Sequence, residues 1–219
     1  MMPGAFLLGN AGEHFTCGHE HGVGDRCVSF SYTHEFVERV KSGAGAVKSR
    51  FQTPRLAPMR VLAPLVSRAS ELLAGAEPAA CEELGIQVLA RAIQTEHGIV
   101  PRPTDVEAGS LARVTRVIRM IDSDPDVPHD LNNLAQIARL SPYHFLRVFE
   151  GITGTTPHQY LLRVRLLRAA IRLREEPTRI LEIALGCGFG DVSNFNRTFR
   201  AEFGVSPRAY RSKGSPARS

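Results

Sequence analysis

The chain of 219 residues is 43% hydrophobic and 22% charged, a composition that is ordinary for a soluble globular protein. No apolar run approaches the roughly 20 residues that a membrane-spanning helix requires. The start at Met1 lacks the basic segment and the long apolar stretch of a signal peptide, so we expect a cytoplasmic protein. Its four cysteines do not suggest a disulfide framework in that compartment.

The net charge of +5 is concentrated in the C-terminal half of the chain. Residues 112–219 contain 17 Lys and Arg against 10 Asp and Glu, a net of +7, whereas residues 1–111 contain 10 against 12, a net of −2. Nearly all the C-terminal basic residues are arginines, whose forked guanidinium fits phosphate and guanine. The asymmetry favours a nucleic-acid partner, although a solvated basic surface would give the same charge.

Between Ala5 and Tyr32, short apolar runs and several glycines predict two or three strands. Two thiols and two imidazoles lie close together in this segment, at Cys17, His19, His21 and Cys27. Such a set could hold zinc or another thiophilic metal, since these are the ligands of tetrahedral sites. The spacing matches no standard zinc finger, and a polar hairpin with incidental thiols is the alternative.

Two amphipathic helices are predicted next, over residues 58–75 and 78–97. Apolar residues recur there with helical spacing, at Val61, Leu62, Leu65, Val66, Ala69, Leu72 and Leu73, and then at Leu84, Val88, Leu89, Ala92 and Ile93. Because a short connection joins them, we expect an antiparallel pair. Residues 98–110, which contain glycines and prolines, are predicted to form a linker.

The C-terminal half contains an internal repeat at an offset of fifty residues. Identical residues recur at this offset: Leu131/Leu181, Phe145/Phe195, Arg147/Arg197, Phe149/Phe199, Gly154/Gly204, Pro157/Pro207 and Tyr160/Tyr210. Matches this numerous indicate a duplicated structural unit.

Each copy of the repeat predicts a short helix, a turn and a second helix. Asp130 and Thr178 are candidate caps of the short helices, and Ser141 and Asp191 of the second ones. In each second helix two phenylalanines four residues apart share one face, which must be buried. Glycines at 154 and 204 then end these helices. The combination is the helix-turn-helix pattern, whose second helix enters the major groove of DNA.

The face opposite the phenylalanines carries the candidate DNA-binding residues. They are Tyr143, His144, Leu146, Arg147 and Glu150 in the first copy, and Val192, Ser193, Asn196, Arg197 and Arg200 in the second. Arginine can fork onto guanine, asparagine onto adenine, and Leu146 or Val192 can touch thymine methyl groups. Alternatively, these are solvated residues of amphipathic helices.

Residues 156–175 predict one long helix between the copies, stopped by Pro177. About 18 residues span roughly 27 Å, which is close to the roughly 34 Å between successive major grooves on one face of DNA. One chain would then read two segments without a dimer. The arginines of this helix, at Arg163, Arg165, Arg168 and Arg172, would contact phosphates or keep the helix soluble.

The C-terminal hundred residues resemble the AraC/XylS-type transcription regulators. The motif that carries the resemblance comprises Ile183-Ala184, Gly188-Phe189, Asp191, Ser193, Phe195, Arg197, Phe199, Phe203-Gly204, Ser206-Pro207 and Tyr210-Arg211, with a weaker match around Ser141-Pro142. The resemblance implies a helical DNA-binding domain over residues 111–213 with two helix-turn-helix units. It implies base contacts from Tyr143, Leu146, Arg147, Ser193, Asn196 and Arg197. Val192 departs from the family, where a polar residue is common.

The resemblance also bears on residues 1–97, which would be a truncated sensor and dimerisation region. We expect a mainly α protein with an N-terminal α+β region, in which partial cupin-like strands precede the helix pair. The segment from Ala5 to Tyr32 is too short for a full cupin-like barrel, so the sensor is vestigial, the gene start is misplaced, or the region folds differently. The helix pair would form a homodimer contact, and RNA polymerase would be a partner of an activator.

These observations favour a sequence-specific transcription regulator that binds double-stranded DNA and is nucleoid-associated when bound. One alternative is a metal- or redox-responsive DNA-binding protein, or a DNA-targeted enzyme, that uses the Cys17, His19, His21 and Cys27 cluster. Another is a protein that only binds a partner through the paired helices. The chain shows no nucleophile motif, paired carboxylates or phosphate loop, so we do not expect an enzyme.

Overall fold

The computed structural model describes residues 4–13, 27–46, 50–72, 77–99 and 108–214. Over these residues the chain forms β1 (Phe6–Leu7), α1 (His34–Ala44), β2 (Arg55–Leu56), α2 (Ala63–Leu72), α3 (Pro78–Glu96), α4 (Ala108–Ser123), α5 (Leu131–Ile137), α6 (Pro142–Thr153), α7 (Pro157–Glu175), α8 (Ile180–Gly186), α9 (Val192–Phe203) and α10 (Pro207–Gly214). The expectation of a mainly α fold with small N-terminal strands is confirmed. None of the helices in these ranges is long and apolar enough to cross a membrane.

The two strands form a short antiparallel ladder, in which Phe6 pairs with Leu56 and Leu7 with Arg55. In the described part of the segment from Ala5 to Tyr32, β1 is the strand that forms, and its partner lies beyond α1. A ladder of two residues per strand is too short for the alternation on which strand prediction depends.

The helix α1 is the element that the sequence pattern missed. Thr33 caps it by accepting a hydrogen bond at Oγ1 from the Phe36 amide, 3.3 Å away, and Gly45 ends it with a φ of 79°. Of the expected pair, α3 matches its predicted span closely, whereas α2 starts at Ala63 rather than at residue 58. The exposure of Met59 and Val61 places them outside the helix pair's contact.

One hydrophobic core joins the N-terminal helices to the first helix-turn-helix unit. Its members come from α1, α3, α4, α5, α6 and α7, and include Val40, Ile86, Leu89, Ile93, Val117, Ile121, Leu134, Phe145, Leu146, Phe149 and Leu161. Residues on both sides of the predicted linker are therefore buried in the same core, and α3 packs on the first unit as well as on α2.

The second core lies between α7, α8 and α9. It contains Leu166, Ala169, Leu173, Ile183, Ala184, Cys187, Phe189, Phe195 and Phe199. The helix α7 thus contributes Leu161 to the first core and Leu166 to the second, so one continuous helix connects the two units. The repeat at an offset of fifty residues is seen in the structure as α5, α6 and α7 followed by α8, α9 and α10.

Candidate nucleic-acid interface

The helices α6 and α9 begin and end at equivalent places. Ser141 accepts a hydrogen bond from the His144 amide at 3.3 Å, and Asp191 accepts one from the Asn194 amide at 2.7 Å. Each helix has 12 residues and ends at a glycine with a positive φ, 71° at position 154 and 73° at position 204. Such glycines terminate helices because the left-handed conformation costs them no Cβ clash. The predicted limits of both helices are confirmed.

The buried phenylalanine pairs fix which way each helix faces. The ring centroids of Phe145 and Phe149 lie 5.6 Å apart, those of Phe195 and Phe199 lie 5.4 Å apart, and all four side chains are fully buried. Tyr160 and Tyr210 complete the two clusters by packing edge-on against Phe149 and Phe199. The predicted aromatic stripes are therefore confirmed. The opposite faces carry the candidate DNA-binding residues and are called the reading faces below: Tyr143, His144, Leu146, Arg147 and Glu150 of α6, and Val192, Ser193, Asn196, Arg197 and Arg200 of α9.

The reading face of α9 is open to solvent. Its exposed polar members are Ser193, Asn196, Arg197 and Arg200, whereas Val192 is half-buried. The Arg197 guanidinium donates a hydrogen bond to the Asn194 side-chain oxygen at 3.0 Å. This face combines two cations with amide and hydroxyl groups, which are the side chains that hydrogen-bond to phosphates and base edges.

The corresponding face of α6 is covered, which corrects the expectation that it is solvent-exposed. Tyr143 is 5% exposed and Leu146 only 1%, and His144, Arg147 and Glu150 are half-buried. The physical reason is that α1 and α3 lie against this face and share one core with it. The signal in the sequence was the apolar character of Tyr143 and Leu146, which gives α6 a second apolar surface besides the phenylalanine stripe.

Polar contacts accompany this covering. Gln94 of α3 donates a hydrogen bond from Nε2 to Tyr143 Oη at 2.7 Å, and Gln87 donates one from Nε2 to Glu150 Oε1 at 2.6 Å. The Arg147 guanidinium carbon lies 5.7 Å from the centroid of the Tyr143 ring, within cation–π range. The side chains predicted to read DNA in the first unit are therefore engaged within the chain.

Two arginines of α7, Arg165 and Arg168, bind the segment between α4 and α5. Arg165, which is buried, donates from Nε to the Pro125 carbonyl at 2.6 Å and from Nη2 to the Val127 carbonyl at 3.2 Å. Burial lowers the pKa of its guanidinium. Arg168 donates to the Ser123 carbonyl at 3.1 Å. Both arginines thus bind the loop between α4 and α5, a role that the charge pattern did not reveal.

The turn of the second unit packs on the same arginine. Gly188 has a φ of 86°, and a Cβ placed there would lie 2.8 Å from both Arg165 Nε and Asp126 Cα. The preceding helix α8 starts after Arg179, which has no side-chain cap, so the prediction of Thr178 as its cap was wrong. The close approach at Gly188 joins the turn of the second unit to the loop of the first.

A buried acidic cluster lies where α3 meets the start of α7. Glu83, 2% exposed, accepts a hydrogen bond at Oε1 from the His158 amide at 2.7 Å, and burial raises its pKa to about 7. The His158 ring lies 3.7 Å from the Glu77 carboxylate, and burial lowers the pKa of this imidazole. The carboxylates of Glu77, just before α3, and of Glu83 thus contact the C-terminal half directly.

The predicted metal cluster falls mainly on residues that the structure does not describe. Cys17, His19 and His21 lie outside the described ranges, and Cys27 is exposed. Within the described ranges, no three His, Cys, Asp or Glu side chains are grouped closely enough to hold a metal ion.

Comparison with known proteins identifies the C-terminal region. Residues 134–213 match the family model of a helix-turn-helix domain. The chain is 28% identical over 102 residues to the helix-turn-helix transcriptional regulator MtrA of Neisseria gonorrhoeae, covering 47% of this chain and 34% of that protein. A helix-turn-helix transcriptional regulator of Mycobacterium tuberculosis is 40% identical over 83 residues, 38% of this chain and 32% of the relative.

Among solved structures, a transcriptional regulator with an AraC-type DNA-binding domain from Chromobacterium violaceum is 29% identical, with a TM-score of 0.46 over 51% of this chain and 99% of that one. Residues 134–213 are therefore similar in sequence to a helix-turn-helix domain and to the named transcriptional regulators that contain one. The chain spans about a third of the length of the curated relatives described above.

Proposed function

We propose that the protein is a cytoplasmic, sequence-specific transcription regulator that binds double-stranded DNA. The observation that carries the proposal is the exposed face of α9, which presents Ser193, Asn196, Arg197 and Arg200 on the second helix of a helix-turn-helix unit. The relatives that share this domain are named transcriptional regulators, which supports the same role for this chain.

In this proposal α9 lies in the major groove with its reading face towards the base edges. Arg197 forks onto guanine O6 and N7, and Asn196 onto adenine N6 and N7, each worth about 1–3 kcal/mol of discrimination. Ser193 in the first turn and Arg200 about two turns later border the groove and suit phosphate oxygens. Val192, half-buried and apolar, would reach at most a thymine methyl group.

The first unit supplies the second reading helix. His144 and Arg147 of α6, with Tyr143 and Leu146, occupy the positions that match those of α9 in the repeat. The 19 residues of α7 span about 28 Å, so the two helices are held at a separation comparable with one turn of DNA. Reading by α6 requires its face to be uncovered.

The proposal is tested by selecting binding duplexes from a random pool with the full chain and measuring their affinity for variants. We expect Arg197→Ala to weaken binding to the selected duplex by about 1–3 kcal/mol and to relax the sequence preference at one base position. Arg60→Ala, which removes an exposed charge from the N-terminal half, is the matched control and should leave the affinity unchanged. Equal affinity of wild type and Arg197→Ala for the selected duplex would contradict the assignment.

Two partners are also part of the proposal. A homodimer would form through the predicted pair over residues 58–75 and 78–97, using the exposed side chains of α2, which belong to half of its 10 residues. Activation would require contact with RNA polymerase at the bound site. Sedimentation of the full chain, with and without the selected duplex, measures dimer formation. Transcription in vitro from a promoter carrying that duplex measures activation of RNA polymerase.

A further inference from the structure

We propose that α1 and α3 form an autoinhibitory cover on α6, so that this folded form of the protein presents only α9 to DNA. Release of the cover would expose the second reading helix and change the protein from reading one segment of DNA to reading two. The inference rests on the proposed function, because it concerns which of two reading helices is accessible.

The apolar seal is the first argument. Leu146 and Tyr143 are 1% and 5% exposed, and they share a core with Val40 of α1 and with Ile86 and Ile93 of α3. The major groove is about 12 Å wide and admits a single helix. The helix α6 therefore cannot enter a groove on this face while two other helices lie against it.

The closeness of α1 to α6 is the second argument. A Cβ added at Gly43 would lie 2.9 Å from Cδ1 of the Tyr143 ring and 3.6 Å from the Ser141 hydroxyl. Real Cβ atoms do not approach a ring carbon so closely, because protein interiors are already packed at crystal density. The contact therefore depends on a residue without a side chain in the last turns of α1, and any larger residue there must displace the Tyr143 ring or move α1 away from α6.

The acidic side of α3 is the third argument. Glu82 accepts a hydrogen bond from the Asn132 amide group, Glu83 from the His158 backbone amide, and Glu77 from the Asn194 amide group of α9. Side-chain amides and backbone amides at helix starts are the donors that otherwise hold phosphate oxygens. The cover thus places carboxylates on donors of both units, in line with the net charge of −2 before residue 112 and +7 after it.

Thiol labelling of the full chain tests the cover without DNA. We compare Leu146→Cys with Asn196→Cys, which is on the exposed face of α9, and follow each site by peptide mass spectrometry. The native Cys187, fully buried in the second core, reports whether the fold is intact. We expect Leu146→Cys to react at least about tenfold more slowly than Asn196→Cys, because labelling requires the covered state to open. Tyr143→Cys is the second variant if Leu146→Cys leaves Cys187 unprotected.

Opening variants then link the cover to DNA binding. We expect Gly43→Leu to accelerate labelling at position 146 while Cys187 stays protected. Gly109→Leu, at a position of α4 where a Cβ meets nothing within 4 Å, is the control and should not. On the selected duplex, Arg147→Ala should change affinity less than about twofold in the closed chain but about 5- to 150-fold in the Gly43→Leu background, the range for a base-reading arginine.

Two results would overturn the proposal. One is labelling of Leu146→Cys as fast as that of Asn196→Cys with Cys187 protected, because α6 is then uncovered. The other is an equal effect of Arg147→Ala in the closed and the Gly43→Leu backgrounds, because the cover then has no influence on reading. Failure of the proposed function is a different result: Arg197→Ala would retain full affinity for the duplex, whereas the labelling rates would be unaffected.

Discussion

Gln94 of α3 donates a hydrogen bond from Nε2 to the hydroxyl of Tyr143 on α6 at 2.7 Å, so a residue of the predicted dimerisation helix holds a residue predicted to read DNA. Gln94 is 4% exposed and Tyr143 is 5% exposed. A buried polar group of this kind must form a hydrogen bond, because leaving it unpaired costs its full desolvation penalty. The bond therefore makes the position of α3 on α6 specific, beyond what apolar packing alone would require.

A double-mutant cycle on this pair measures its contribution. We expect Gln94→Ala to lower the free energy of unfolding by about 1–3 kcal/mol, because the Tyr143 hydroxyl is left buried without its partner. Tyr143→Phe should cost a similar amount, and the double variant less than the sum, with a coupling of about 1 kcal/mol. Urea unfolding of the four proteins gives the values, and strictly additive effects would show that the bond is not formed.

The repeat made α6 and α9 predictable, since the phenylalanine pairs and terminal glycines are local signals that recur at a fixed offset. Exposure of the reading faces was not predictable in the same way. The sequence pattern predicts that the face opposite the phenylalanines is exposed. This is true of α9 but not of α6, where Leu146 is buried. The cover includes α1, whose short apolar stripe of Phe36, Val37, Val40 and Ala44 was not used in the prediction, and only tertiary packing shows which surface this helix occupies.

The role of Arg165 shows a second limit of sequence patterns. The sequence predicts that an arginine on a long basic helix faces solvent or contacts a phosphate. Here the Arg165 guanidinium instead donates to two backbone carbonyls in the loop between α4 and α5. No spacing rule connects position 165 with positions 125 and 127. The contact exists because α7 passes beside that loop, a consequence of the assembled fold.

Glu83 gives the closed form a dependence on pH. Its pKa of about 7 in the folded protein lies above its ordinary value of 4.5. Its contribution to stability is therefore fully present below pH 4.5 and is lost as the pH rises through about 7, by up to about 1.4 kcal/mol per pH unit. The charged groups that act on this carboxyl are Arg68 of α2, which lowers its pKa, and Glu150 of α6, which raises it; the His158 amide of α7 also bonds it.

Glu83→Gln should remove the loss of stability that accompanies the rise in pH, while keeping an acceptor for the His158 amide. Urea unfolding between pH 5 and 8 should show wild-type stability falling relative to that of Glu83→Gln as the pH rises. His158, whose pKa is lowered by burial, is present in both proteins, so its opposite effect at low pH cancels in the difference. Glu71→Gln, at an exposed carboxyl on α2, is the control, and a pH-independent difference between wild type and Glu83→Gln would contradict the prediction.

Gly188 lies in the turn between α8 and α9, and we expect its substitution to lower the stability of the fold more than substitution of Gly190 in the same turn. The φ of 86° at Gly188 and the 2.8 Å approach of a Cβ to Arg165 Nε make Gly188→Ala strained in two ways, and we expect a loss of about 2 kcal/mol or more. Gly190→Ala is the matched control two residues later, where a Cβ meets nothing within 4 Å, and should stay within about 0.5 kcal/mol. The measurement is urea unfolding, and equal effects of the two substitutions would show that the turn does not pack on Arg165.

The two arginines on the reading face of α9 should differ in the kind of contact they make. Arg197 lies beside Asn196 in the middle of the face, so we expect Arg197→Ala to weaken the selected duplex far more than a scrambled one. Arg200 lies nearly one turn further along, and Arg200→Ala should weaken both duplexes alike and lower the slope of log affinity against log salt by about 1, because one phosphate contact is lost. Fluorescence anisotropy with both duplexes over a series of salt concentrations separates the two effects. An equal loss of affinity for both duplexes in Arg197→Ala would make Arg197 a phosphate contact too, and Asn196 would then be the residue of α9 that hydrogen-bonds to a base edge.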